Sequence, residues 1–310
     1  MMAAISPSVI QDIQQVFAAD FMRHAYLAST AIALGCGLIG YFLVLRNQVF
    51  TGDALSHVAF VGALAAALFG VEPLLGVFAS AILIALGMGA LGGRAQARDV
   101  VIGTVFAWIL GLGALFLSIY TSVRSAGNGI IGVRTLFGSI LGLNLHGAII
   151  VAVVGAVVSL ALIGIVRPLL FASIDADAAA ARGLPVRTLS LCFIALVAVT
   201  VAESVQAVGA LLVFGLLVAP AATAQIITAR PYRAMALSVA IALAAVWAGL
   251  FVAFYTALPP SFLIIAITTG IYAAAVIGRR CLTGGRPSWQ EMKAPPSLRA
   301  RPGRRTRASA

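Results

Sequence analysis

The 310-residue chain is 62% hydrophobic and only 9% charged, with a mean hydropathy of +1.10. Soluble domains carry about 25% charged residues, so this composition excludes that class. The net charge of +11 does not indicate a nucleic-acid-binding protein, because nine of the twenty basic residues follow the last apolar run, in 279–310. Such a basic segment is typical of a tail beside anionic headgroups.

Apolar runs of roughly 20 residues recur along the chain, and each is long enough to cross a hydrocarbon core of about 30 Å. Backbone groups in lipid must pair within their own segment, which predicts helices. The sequence therefore predicts an all-α, polytopic transmembrane helical bundle of about eight or nine spans. The candidate spans are 25–45, 54–70, 73–92, 99–120, 146–170, 188–205, 207–228, 234–256 and 260–278.

Three segments outside these runs complete the organisation. A polar segment, 1–24, precedes the first run, which we expect to be retained because no small-residue cleavage site follows it. The Gly-rich stretch 121–145 contains a short apolar piece at 136–142, which is expected to be re-entrant or interfacial. A single permease domain would then occupy 25–279, and the basic tail, 280–310, is expected to be disordered and to lie in the cytoplasm.

The placement of arginine and lysine predicts the orientation. With the tail in the cytoplasm, seventeen of the twenty basic residues fall on the cytoplasmic side, and only Arg23, Arg124 and Arg134 lie outside it. This bias favours an N-terminus outside and a C-terminus inside the plasma membrane. One extra or missing span near 121–145 would reverse the N-terminal half.

Two ionisable residues in the segment GDALSH form a candidate metal site. Asp53 and His57 are four residues apart, so a helix places them on one face, one turn apart. Carboxylate and imidazole are ordinary ligands of zinc, manganese and ferrous iron. A two-fold dimer would supply two of each around its axis. The alternative is that Asp53 caps the start of the second span and His57 is a buried residue bonded to a neighbour.

A second acidic residue, Glu203, lies at membrane depth one turn from Gln206. The pair is a candidate entrance for cations near the outer end of the sixth span. The alternative is an interfacial polar end that faces water.

The hydrophilic loop at about 172–187 is predicted to contain a short helix. Acidic residues lie at its start, an arginine lies near its end, and a Gly and a Pro follow. This order favours a helix, because the helix dipole stabilises acidic side chains at the N-terminus and basic side chains at the C-terminus. Such a helix would suit the docking of a separate motor, although an ordinary connector also fits. The candidate coupling residues are Asp175, Asp177, Arg182, Gly183, Leu184 and Pro185.

Several catalytic motifs are missing from the sequence. It contains no G-x-x-x-x-G-K-[ST], which argues against ATP hydrolysis by this chain through a P-loop. It also lacks H-E-x-x-H and G-x-S-x-G, so an intramembrane protease or hydrolase is disfavoured. We expect a transport subunit rather than an enzyme, with no cofactor of its own.

Four segments together resemble the permease subunits of ATP-binding-cassette importers for zinc, manganese and iron. They are FTGDALSHVAFVG at 50–62, LFGSILG at 136–142, IDADAAAARGLPV at 174–186 and VGALLVFGLLVAPAATA at 208–224. The resemblance covers roughly 20–280 and places Asp53 and His57 on the acidic and histidine positions of the family motif. Glu203 and the basic tail have no counterpart in that pattern.

The resemblance implies a dimeric permease that moves a divalent metal ion by alternating access. It implies three partners: a second permease copy, a cytoplasmic subunit that binds ATP, and an extracytoplasmic metal-binding protein. The segment 174–186 would couple the permease to the ATPase. Two other functions stay open: a permease for a metal chelate, and a self-sufficient secondary transporter in which Asp53, His57 and Glu203 relay protons.

Overall fold

A computed structural model describes residues 17–91, 95–123, 138, 140–256 and 258–283. These residues form ten α-helices and one short 3-10 turn, with no strand among them. The helices are α1 Asp20–Leu45, α2 Val49–Leu68, α3 Pro73–Leu91, α4 Ala95–Val123, α5 Leu145–Ile174, α6 Ala176–Ala181, α7 Val186–Val208, α8 Ala210–Ile227, α9 Pro231–Tyr255 and α10 Pro260–Thr283.

The predicted helical membrane bundle is confirmed. Seven of the described helices are long and apolar enough to cross a membrane, and the apolar parts of α3 and α8 are shorter, at Pro73–Gly89 and Leu212–Ile227. Each of the nine predicted spans corresponds to one long helix. The largest shifts are of five residues: the first span begins at Asp20 rather than 25, the second begins at Val49 rather than 54, and the last ends at Thr283 rather than 278.

The helices differ in how deeply the bundle buries them. The most apolar windows of α1 and α2 are each 72% buried and that of α7 is 67% buried, whereas the window of α10 is only 11% buried. The centre of the bundle is therefore built around α1, α2 and α7. The outer helices present apolar side chains to their surroundings, as helices in contact with lipid do.

Contacts of α1 show that α5 runs parallel to it. At the end of α1, Arg46 Nε donates a hydrogen bond of 2.9 Å to Ser173 Oγ, near the end of α5. Towards the middle of α1, Ala31 lies against Gly155, where an added Cβ would meet the Ala31 Cβ at 3.0 Å. Both helices therefore proceed in the same direction across the bundle.

Contacts of α1 also show that α7 runs antiparallel to it. The Arg46 guanidinium lies 5.1 Å over the ring of Phe193, near the start of α7. Further back along α1, Cys36 Sγ lies 3.5 Å from Ser204 Oγ, near the end of α7. Helices α1, α5 and α7 thus meet along a common line.

Helices α2 and α3 approach each other through two glycines. A Cβ added at Gly62 would lie 2.5 Å from the Gly76 carbonyl oxygen, and a Cβ added at Gly76 would overlap the Gly62 carbonyl oxygen. Small residues at helix crossings let backbones pack closely in a membrane, where apolar burial drives little association. The pair sets the position of α2 in the bundle.

The short piece predicted at 136–142 is described in part. Ile140–Gly142 form a 3-10 turn in which Ile140 is buried. Gly138 has a φ of +72° and lies directly against the backbone of Val208 and Gly209, where α7 ends and α8 begins. The described part of the piece therefore packs against the joint between two helices. Its first residues, the rest of the N-terminal segment before 17, and the tail after 283 lie outside the described residues.

Candidate functional site

Helix α2 places Asp53 and His57 inside a continuous helix. The helix begins at Val49, with Gln48 in the N-cap position, so Asp53 lies more than one turn beyond the start. The alternative prediction that Asp53 caps this helix is therefore wrong. The helix extends upstream of GDALSH to Val49, and the spacing of four does place both side chains on one face.

The two side chains lie close together without forming a hydrogen bond. His57 Nε2 is 3.9 Å from Asp53 Oδ1, which exceeds ordinary hydrogen-bond distances. Their side chains are 23% and 25% exposed, respectively, although most of α2 is buried. The pair therefore presents a carboxylate oxygen and an imidazole nitrogen on the accessible strip of a central helix.

Two aromatic rings border the pair. The ring of Phe106, on α4, lies edge to face with the imidazole of His57, with centroids 5.3 Å apart. Phe50, one turn before Asp53, contacts the ring of Phe106, with centroids 5.5 Å apart. Sequence reasoning missed both residues. Phe50 lies three residues before Asp53, on the same accessible strip of α2 as Asp53 and His57. Phe106 reaches that strip only because α4 packs on α2.

The pair is an incomplete coordination shell in the part of the chain that the structure describes. No three His, Cys, Asp or Glu side chains there are close enough to hold a metal ion. Asp53 and His57 supply two donors of mixed oxygen and nitrogen type, which suits zinc, manganese and iron. Further donors would have to come from water, from the delivered ion's own ligands or from another subunit.

Glu203 is not brought to this pair. It lies inside the bundle and is 4% exposed, and its Oε1 has no hydrogen-bond partner within the described part of the chain. The alternative prediction, an interfacial polar end facing water, is wrong, because α1 and α5 cover this part of α7. Gln206, one turn on, is only partly buried. The spacing on α7 was readable from the sequence, but the side of the helix that faces inward was not.

The loop between α5 and α7 contains the predicted short helix, α6. Asp175 is its N-cap, and Asp175 Oδ1 accepts a hydrogen bond of 2.9 Å from the Ala178 backbone N–H. The helix is followed by Gly183 with a φ of +80°, in the left-handed region that glycine adopts without steric cost. The Arg182 guanidinium lies 5.3 Å from the centroid of the Phe171 ring, which joins this end of α6 to α5.

The candidate coupling residues are largely accessible. Asp175, Asp177, Arg182, Gly183 and Pro185 are exposed, and Leu184 is partly buried. The helix therefore projects a short, charged and capped surface from the end of the bundle.

The described helices therefore form a polytopic membrane bundle that keeps polar side chains, among them Glu203, in its interior. The chain belongs to the ABC 3 transport family, whose model matches residues 18–279. This confirms the resemblance drawn from the four sequence segments. It is a membrane-subunit family of ABC transporters, and the chain is accordingly a multi-pass inner-membrane protein.

Two relatives and one solved structure show the extent of the similarity. The manganese transport system membrane protein MntC of Halalkalibacterium halodurans is 29% identical over 70% of this chain and 73% of its own length. A probable iron transport system membrane protein of Haemophilus influenzae is 30% identical over 67% and 75%, respectively. The structure of PsaBC from Streptococcus pneumoniae in complex with Fab shares the fold, with a TM-score of 0.75 and 23% identity over 86% of this chain and 95% of that chain.

Proposed function

We propose that this chain is the membrane-spanning permease of an ATP-driven importer of divalent metal ions, namely zinc, manganese or iron. The observation that carries the proposal is the pair of Asp53 and His57, 3.9 Å apart on the accessible strip of a central helix. Ionisable side chains at membrane depth usually face a pathway or a partner. The manganese and iron transport names of the relatives support the same class of substrate.

The proposed site is completed by a second copy of the chain. Two copies related by a two-fold axis would contribute two carboxylates and two imidazoles around one ion, because an isologous contact presents the same surface twice. Four mixed donors suit a divalent transition metal. The open 3.9 Å separation within each copy is consistent with a site that binds a passing ion and then releases it.

The energy would come from separate cytoplasmic subunits that bind ATP, since this chain lacks a P-loop. We assign their docking to the loop around α6, which is short, capped and exposed. An extracytoplasmic binding protein would deliver the ion to the opposite end. This arrangement requires the N-terminus outside and the C-terminus in the cytoplasm, which agrees with the distribution of basic residues.

The mechanism we propose is alternating access. ATP binding and hydrolysis in the partner would move α6, which is joined to α5 directly and to α7 through residues 182–185. Movement of these long helices would open the path at Asp53 and His57 to one side of the membrane at a time. The ion would be held by the pair only between the two openings.

Metal-resolved uptake in a strain that lacks this chain tests the proposal. Complementation with the wild-type chain is expected to restore uptake of one divalent ion, whereas D53A, H57A and the double variant are expected to abolish it with assembly intact. E72A and H146A are matched controls, because these side chains are exposed and lie at helix ends away from the pair. Normal metal uptake by the double variant would overturn the assignment and favour a permease for a metal chelate.

A further inference from the structure

Among the described residues, three buried side-chain oxygens near the meeting line of α1, α5 and α7 have no hydrogen-bond partner. They are Glu203 Oε1, Thr200 Oγ1 and Ser159 Oγ. Glu203 is 4% exposed and Thr200 is 2% exposed. Buried polar atoms in folded proteins are almost always paired, so three orphans within one region point to a bound species. In a membrane the expectation is stronger, since an unsatisfied polar group there costs several kcal/mol.

The three oxygens lie on facing sides of α5 and α7. Glu203 Oε1 lies against Gly155, where an added Cβ would be 3.0 Å from it. Thr200 precedes Glu203 by three residues on α7, and Ser159 follows Gly155 by four on α5. Because α5 and α7 are antiparallel, these two steps lead to the same level of the bundle. The carboxylate and the two hydroxyl groups therefore line one short stretch of the junction.

Helix α1 closes the third side with small residues. A Cβ added at Gly35 would touch the Thr200 methyl group at 3.5 Å, and Ala31 lies beside Gly155. The titratable group that α1 presents here is the buried thiol of Cys36, 3.5 Å from Ser204 Oγ. Neither of the ion pairs recorded for the described residues involves Glu203. Its charge has no protein cation beside it in that part of the chain.

We propose that this junction is a binding site for one small monovalent cation, either a proton or a sodium ion. All of the available donors are oxygens, which favours hard cations over transition metals. One carboxylate balances one positive charge, whereas calcium takes six to eight oxygen ligands and magnesium demands a nearly ideal octahedron. A sodium ion at this junction takes the Glu203 carboxylate and the two hydroxyl oxygens as ligands. A proton instead binds the carboxylate, whose O–H then donates to one hydroxyl oxygen. Either cation joins α5 to α7.

This site is separate from Asp53 and His57 and does not depend on the transport function proposed above. Its role is to fix the junction between α5 and α7, which α1 covers. A cation at this point stabilises the folded bundle, and its affinity can be read from the thermal stability of the whole chain.

The test is the thermal midpoint of the purified full-length chain in detergent, measured in two series. In the first, sodium replaces choline at constant ionic strength; in the second, the pH is varied in a C36S background, so that the neighbouring thiol does not contribute. We expect one series to raise the midpoint by about 2 °C for each tenfold increase in the bound cation. Glu203→Gln keeps the shape of the side chain, removes its charge and should abolish that dependence.

Thr223→Val serves as the matched control for Thr200→Val. Thr223 is equally buried, but its hydroxyl donates a hydrogen bond of 2.7 Å to the Ala219 carbonyl. T200V and S159A should weaken the dependence of the midpoint on the cation. T223V should lower the midpoint but leave that dependence unchanged. Should E203Q fail to fold, these two hydroxyl variants still report on the site. A midpoint that responds identically to sodium and pH in the wild type and in T200V and S159A would overturn the proposal.

Discussion

At the scale of single residues, Asp53 and His57 owe their exposure to the packing around them. Small and apolar neighbours such as Ala54 and Val58 are buried on the other sides of α2, so the two polar side chains share the strip that remains open. A charged group at the bilayer centre costs about 2.5–3.5 kcal/mol on insertion scales. That cost is avoided where a passage or a second copy provides polar surroundings.

The ring of Phe106 is expected to orient the imidazole of His57. An edge-to-face contact of this kind contributes about 0.5–1.5 kcal/mol, so losing it should raise the half-saturating metal concentration by about twofold to tenfold. F106L should show this increase at an unchanged maximal uptake rate, and F106Y should restore the wild-type value. F116L is the control, because Phe116 lies further along α4 and packs against the apolar cluster that joins α4 to α2. Equal effects of F106L and F116L would mean that Phe106 acts only through folding.

Sequence reasoning reached some of these residues and missed others for one physical reason. The spacing of Asp53 and His57 is a local property of a helix, and so is the cap at Asp175. The burial of Glu203 and the contact of Phe106 with His57 depend on how distant helices pack. Apolar residues on every side of these helices leave no polar face from which the inward side can be read.

At the scale of helices, the crossing of α2 and α3 depends on Gly76. An alanine there would overlap the Gly62 carbonyl oxygen, and backbone atoms cannot move aside without displacing a helix. We expect G76A to lower stability by about 1–3 kcal/mol and to reduce the thermal midpoint of the purified chain. Gly87, on the same helix, has no atom of the described residues within 4 Å of an added Cβ, so G87A is the matched control. A midpoint for G76A equal to that of G87A would contradict this packing.

The short helix α6 depends on its cap. Asp175→Ala removes the hydrogen bond to Ala178 N–H and should cost about 1 kcal/mol, which is large for six residues. If α6 docks the ATPase, D175A should lower uptake while metal binding is unchanged. D175N should retain uptake, because asparagine is an equally good cap. Loss of uptake in D175N as well would indicate that the negative charge, rather than the helix, is required.

Element boundaries show a similar division between local and distant causes. The Gly/Pro stop after α6 and the joint at Gly209 were close to their predicted positions, because such breaks are set by the residues themselves. The start of α2 was placed too late. Residues 49–53 include Thr51 and Gly52, which are poor helix formers, and their burial against α1 and α8 overrides that preference.

At the scale of the whole molecule, the chain should transport nothing without its partners. In liposomes, the permease alone is expected to move no metal under a proton gradient. Uptake should require the ATPase subunit, the binding protein and ATP. Metal movement by the permease alone under an ion gradient would instead identify a secondary transporter, in which Asp53 and His57 carry protons.

Pulsed electron paramagnetic resonance of manganese bound to the assembled importer tests most directly whether Asp53 and His57 hold the ion. If they do, the spectrum shows a coupling between the metal and an imidazole nitrogen that disappears in H57A and persists in H146A. Manganese should also bind more weakly to D53A, since the carboxylate is the anionic donor of each copy. A spectrum that keeps its nitrogen coupling in H57A, or that never shows one, would place the ion elsewhere.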